Sequence, residues 1–221
     1  VTFIKFCGIT NEADALLAVG LGVDAIGVIF APSPRQVSVS AAADIVHRLP
    51  QDTTVVGVFR DEAPVRVVEI ADHLGLRAVQ LHGHETAAEV AYVAERVQTV
   101  IKAYPATSPM IARFGELTAD LLLIDGPSPG SGEVFDWRLA EGVADPHRLI
   151  VSGGLDADNV HVAIERLHPF GVDVASGIEA VAGVKDPRKM RAFIDAVRSI
   201  PTGPERPDGD DAGDGPYDWS R

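Results

Sequence analysis

The sequence predicts a single-domain (β/α)8 (TIM) barrel, and three observations carry that prediction. β-Branched apolar runs alternate with amphipathic helical stretches through the chain, and each run closes into Gly, Pro or Asp. The length, 221 residues, is one that such barrels occupy as one unit, with 46% hydrophobic residues to build a core. An open doubly wound sheet is the weaker alternative, because alternation alone does not prove closure.

Taken in order, the expected strands are 2–6, 25–30, 54–59, 78–81, 99–103, 121–124, 149–151 and 172–175. Each is rich in Val, Ile, Leu, Phe or Thr, as strands buried on both faces should be. Helices are expected at 12–21, an acidic, alanine-rich stretch, then at 41–48, 64–74, 86–96, 109–116, 137–141, 158–167 and 187–200. The weakest of these are the brief strand 149–151 and the short helix beginning at Trp137. The barrel is expected to occupy 1–200. From Pro201 the composition turns to Pro, Gly and Asp, so 201–221 reads as a disordered acidic tail with too little apolar surface to offset its ordering entropy.

Composition narrows the function. A formal net charge of −13 disfavours nonspecific attraction to nucleic acid or anionic lipid, so an anionic ligand would need local positive potential. One cysteine forbids an internal disulfide and a cysteine-based metal site, and fits a reducing cytoplasm. The sequence shows neither a basic start leading into an apolar signal segment nor an uninterrupted apolar run of about 18 residues. No membrane or nucleic-acid partner is therefore expected.

The period-two geometry of strands says which side chains share a face. Phe3, Lys5 and Cys7 alternate with the more apolar Ile4 and Phe6, so Lys5 and Cys7 should point into the barrel. Leu121, Leu123 and Asp125 form the equivalent row on the sixth strand, and Gln80 and His82 on the fourth; Lys102 on the fifth is expected to reach inside as well. A buried lysine is costly unless paired, and Asp173, on the strand that meets the first when the barrel closes, is the expected partner of Lys5.

Active groups of such barrels sit at the C-terminal ends of the strands. Cys7 occupies that place on the first strand, although a free cysteine is by itself more often a small buried hydrophobe. Asp125 occupies it on the sixth, where the plainer reading is a carboxylate capping the turn at Gly126-Pro127. Ser152-Gly153-Gly154 and Ser176-Gly177 follow the last two strands, and main-chain amides of such turns can hold a phosphate.

These residues resemble the phosphoribosylanthranilate isomerase family of tryptophan biosynthesis. The resemblance rests on Lys5-Phe6-Cys7-Gly8-Ile9-Thr10, Ser33-Pro34-Arg35, Val56-Gly57-Val58-Phe59, Gln80-Leu81-His82-Gly83 and Asp125. It continues through Gly130-Ser131-Gly132, Phe135-Asp136-Trp137, Ser152-Gly153-Gly154-Leu155 and Asp173-Val174-Ala175-Ser176-Gly177-Ile178-Glu179. It implies an Amadori rearrangement of N-(5-phosphoribosyl)anthranilate to 1-(2-carboxyphenylamino)-1-deoxyribulose 5-phosphate, without metal or organic cofactor, in a monomer or homodimer.

By the same resemblance Cys7 is the general base and Asp125 the general acid, with Lys5 expected to help the thiol ionise. Arg35 would engage the anthranilate ring and carboxylate. Gly153, Gly154, Ser176 and Gly177 would seat the phosphate, and Gly130, Ser131 and Gly132 would belong to a mobile loop over the acid. Pro129 departs from the family pattern, which carries a glycine pair before the Ser or Thr. His82, equally readable as a satisfied core histidine, is left outside the catalytic set. A related isomerase of histidine biosynthesis, acting on a two-phosphate aminoimidazole substrate, carries an aspartate where Cys7 stands, so Cys7 points to the tryptophan substrate. A phosphosugar-binding barrel that has lost catalysis is the alternative of a different class, opposed by intact Cys7 and Asp125.

Overall fold

Strand β1 (Phe3–Phe6) lies between β2 (Ala25–Ile29) and β8 (Gly171–Val174), and that double pairing closes the sheet. The computed structural model describes residues 1–126 and 145–200. Eight parallel strands run in chain order around a closed barrel, completed by β3 (Thr54–Phe59), β4 (Ala78–Leu81), β5 (Thr99–Pro105), β6 (Leu121–Asp125) and β7 (Leu149–Val151). The expected barrel is therefore the one observed, and the open sheet is not.

The connecting helices begin where the sequence supplies caps. Asn11 accepts from the Asp14 amide ahead of α1 (Glu12–Gly20), and Ser38 accepts from that of Ala41 ahead of α2 (Val39–Val46). Pro64 opens α3 (Pro64–Leu74), and Gly75 closes it at φ 65°, where a side chain would be strained. Thr86 and Glu89 form a reciprocal capping box on α4 (Ala87–Ala94). Then come α5 (Val160–Leu167) and α6 (Pro187–Arg198), the latter capped by Asp186.

Three readings need correction, two in the elements and one in a side chain. The segment Pro109–Glu116 is a 3-10 helix: begun by proline, loosened by Gly115 and burying only Phe114, it has little packing to hold an α-helix. Between β8 and α6 the chain adds an unexpected antiparallel hairpin, β9 (Glu179–Val181) with β10 (Val184–Lys185), turned at Gly183 with φ 83°. The expected helix 137–141, the loop glycines Gly130 and Gly132 with Ser131, Pro129 and the 201–221 tail all lie outside the described residues.

The apolar residues form two layers. Phe3, Ala25, Val56, Ala78, Ile101 and Leu121 belong to the cluster inside the barrel, while Ile4, Phe6, Val100, Tyr104 and Ile124 join the larger layer under the helices. That division corrects Lys102: its neighbours Ile101 and Ala103 face inward, so Lys102 faces outward. It is fully buried there, with Nζ donating to Glu85 Oε2 at 2.8 Å and to the carbonyls of Leu81, Gly83 and Ala103. Among the described residues no helix is long and apolar enough to cross a membrane.

Candidate active site

The C-terminal ends of the strands enclose a cavity of about 150 Å³ lined by Cys7, Arg35, His82, Asp125, Gly153, Gly154 and Ser176. Cys7 follows the last residue of β1, with its N–H donating to Val174 O at 2.8 Å, so the β1–β8 seam continues into the thiol. Below it Lys5 pairs with Asp173 at 2.9 Å, and both are directly opposite in the strand register. Gly27 on β2 makes room for this pair of inward groups, since a Cβ there would lie 2.9 Å from Cys7 Sγ and 3.2 Å from Lys5 Nζ.

Charge and burial compete at the thiol. Burial pushes the Cys7 pKa up, Lys5 pulls it down, Asp173 pushes it up again and Lys185 pulls it down; the net is a rise. Lys5 does favour the thiolate, as expected, but desolvation outweighs it. Burial also works against the Lys5 ammonium, yet Asp173 and Cys7 together carry its pKa above the ordinary value. The cation beside the thiol therefore stays charged.

Asp125 ends β6, with Oδ1 accepting from the Gly126 amide at 2.8 Å and Oδ2 3.4 Å from His82 Nε2. The other ring nitrogen of His82 meets Gln80. Gln80 Nε2 lies 2.9 Å from His82 Nδ1, whereas His82 Nε2, turned toward Asp125, makes no hydrogen bond among the described residues. His82, left out of the expected catalytic set, thus stands beside the expected acid. Strand alternation had already placed it at the mouth; nothing in the sequence showed its partner.

Arg35 lies over Gly8, whose φ is 71° and where a Cβ would come within 2.5 Å of the arginine Cδ. Its guanidinium is held by Glu179, which accepts from Nε at 2.7 Å and Nη2 at 2.8 Å. This pairing raises the Arg35 pKa further, so the group is a permanent cation.

At the far wall, Gly153 and Gly154 adopt φ 89° and 67°, and a Cβ on Gly153 would strike the Gly126 amide nitrogen. Gly177 is placed differently from the other expected phosphate residues. It lies in the short 3-10 turn Ser176–Ile178 behind the wall, packed so that a Cβ would collide with the Leu155 carbonyl oxygen. Five of the expected residues of this wall and of the reacting pair, Cys7, Asp125, Gly153, Gly154 and Ser176, thus line one cavity, together with Arg35.

Known proteins resemble this chain along most of its length. The family model described as N-(5'-phosphoribosyl)anthranilate (PRA) isomerase matches residues 4–196, nearly the whole barrel. The chain belongs to that family. It is 41% identical over 202 residues to the N-(5'-phosphoribosyl)anthranilate isomerase of Desulforudis audaxviator, covering 90% of this chain and 98% of the relative. The crystal structure of the phosphoribosylanthranilate isomerase from Thermus thermophilus superposes with a TM-score of 0.84 at 36% identity, covering 90% and 99% of the two chains. Another isomerase of the family, solved in complex with reduced 1-(o-carboxyphenylamino)-1-deoxyribulose 5-phosphate, gives 0.80 at 36% identity, covering 90% of this chain and 100% of that one.

Within this phosphoribosylanthranilate isomerase fold, the residues that sequence reasoning missed come from the hairpin. Glu179 appeared only as the end of a motif, and Lys185 carried no signal at all. Both are buried beside the cavity, at 5% and 3% exposure.

Proposed function

We propose that Cys7 is the general base and Asp125 the general acid in the isomerisation of N-(5'-phosphoribosyl)anthranilate, the reaction of tryptophan biosynthesis that goes with this family. The observation that carries the assignment is the placement of the only cysteine and a buried aspartate on β1 and β6, at the wall of a single cavity.

Asp125 gives its proton to the ribose ring oxygen as the bond from that oxygen to C1 breaks, and the lone pair of the anilino nitrogen forms the iminium. The Cys7 thiolate then takes the C2 proton: the C–H bond breaks, an S–H bond forms, and the released pair neutralises the iminium to give the enolamine. Tautomerisation yields the aminoketose, so the enzyme acts as an intramolecular aldose–ketose oxidoreductase. His82, its Nε2 3.4 Å from Asp125 Oδ2, is the polar neighbour of the carboxylate left after proton transfer. Arg35 supplies a fixed cation for the anthranilate carboxylate, and the amides of the Gly153-Gly154 and Ser176-Gly177 turns supply a seat for the phosphate. The free thiol suits a reducing compartment such as the cytoplasm.

The test is the fluorescence decay of N-(5'-phosphoribosyl)anthranilate mixed with the purified chain, beside the two-phosphate aminoimidazole substrate of the histidine pathway. Rapid decay of the first and no conversion of the second is the expected result. Binding of the first without decay would instead indicate a phosphosugar-binding barrel.

A further inference from the structure

The hairpin between β8 and α6 is not needed to close the barrel, yet it buries two charged side chains against the reacting end of β1. Glu179 grips Arg35 through two nitrogens, and its Oε1 also accepts from Lys185 Nζ at 3.0 Å and the Gly183 amide at 3.2 Å. Lys185 Nζ donates onward to the Cys7 carbonyl at 2.7 Å and the Ala175 carbonyl at 3.0 Å. The Lys185 amide is tied to Asp14 Oδ2 at 3.1 Å, which anchors the hairpin to the first turn of α1.

Three buried charges, two positive and one negative, are an expensive way to fill space that apolar side chains would fill at less cost in desolvation. Their arrangement has a chemical use. We infer that Lys185 is a positioning residue for the reaction: it fixes the main chain of Cys7 and places a second cation beside the thiolate, while Glu179 limits the strength of that field and aims Arg35. This inference rests on the assignment of Cys7 as the base.

The charged surroundings of Cys7 are Lys5 on its own strand, Asp173 from β8, Lys185 from β10 and Arg35 from the loop after β2, with Asp125 and His82 across the cavity. Lys5 is neutralised by its direct pair with Asp173. Lys185, Arg35 and Glu179 together leave one uncompensated positive charge, and Lys185 is the member that touches Cys7. Burial draws the Lys185 pKa down, opposed by Glu179 and Cys7.

Because Cys7 is the only cysteine, its alkylation by iodoacetamide as a function of pH reads the thiolate directly. Lys185→Met should slow alkylation near pH 8 by about threefold or more and move the profile to higher pH. Lys185→Arg, which keeps the cation, should restore it. Glu179→Gln, which uncovers positive charge while keeping the shape, should move the profile the other way. A purely structural role predicts no opposition of sign between the Lys185 and Glu179 variants, and that result would overturn the inference; if Lys185→Met does not fold, the Glu179→Gln shift alone decides. Turnover of Cys7→Ala separates the two readings. An inactive Cys7→Ala with unmoved alkylation profiles sinks only the role of Lys185, whereas a fully active Cys7→Ala sinks the base assignment and this inference with it.

Discussion

Gly27 sets how closely β2 can approach the reacting thiol, because a methyl group there would press on Cys7 Sγ at 2.9 Å. Gly27→Ala should therefore displace the sulfur by a few tenths of an ångström and lower kcat about tenfold or more, with steady-state kinetics as the check. The raised pKa of Cys7 makes a second prediction at this scale. A thiol raised by burial is protonated over a wider range, so wild-type alkylation should rise with pH through a midpoint above the ordinary value of about 8.5. A midpoint below that value would mean the cations outweigh burial. Gly177 separates charge from space at the proposed phosphate seat. A negative charge there would oppose a phosphate, but any side chain at this residue meets Leu155 O. Gly177→Ala should raise KM nearly as much as Gly177→Asp; a silent alanine variant would show that charge, not space, is what matters.

At the scale of elements, strand alternation made most of the site legible. Phe3, Lys5 and Cys7, like Leu121, Leu123 and Asp125, fall on one face by period alone, and that face proves to be the inside. The same rule applied to Ile101 and Ala103 would have put Lys102 on the outside, where the structure has it. Its outer position joins β5 to the turn after β4, since Lys102 binds Glu85 and the Glu85 carboxylate accepts from the Gly83 amide at 3.0 Å and 3.1 Å. Lys102→Met should cost several kcal/mol by leaving the Glu85 carboxylate without its counter-ion, about 3–5 by analogy with broken buried pairs, measured by denaturant unfolding. The hairpin β9–β10 was illegible for a different reason. Strands of three and two residues are too short to show periodicity, and the contacts that make Glu179 and Lys185 matter join residues more than a hundred positions apart.

For the molecule as a whole, closure depends on β1 meeting β8, and the charged residues Lys5 and Asp173 sit at that seam beside the apolar cluster of the barrel interior. Their pairing could be read from the sequence, because an inward lysine demands an anion and Asp173 is in register once eight strands close. Asp173→Asn should lower the thermal midpoint markedly, for an uncompensated buried ammonium costs about 3–5 kcal/mol; an unchanged melting curve would place the seam's stability elsewhere. The same closure brings the ends of β1 and β6 to one cavity, so the thiol and the carboxyl can work on one sugar. The most direct measurement of that claim is kcat and KM for the isomerisation of N-(5'-phosphoribosyl)anthranilate by Cys7→Ala and Asp125→Asn beside wild type. Each variant should lose about a hundredfold or more in kcat with little change in KM; wild-type kcat in either one would contradict the pairing of base and acid.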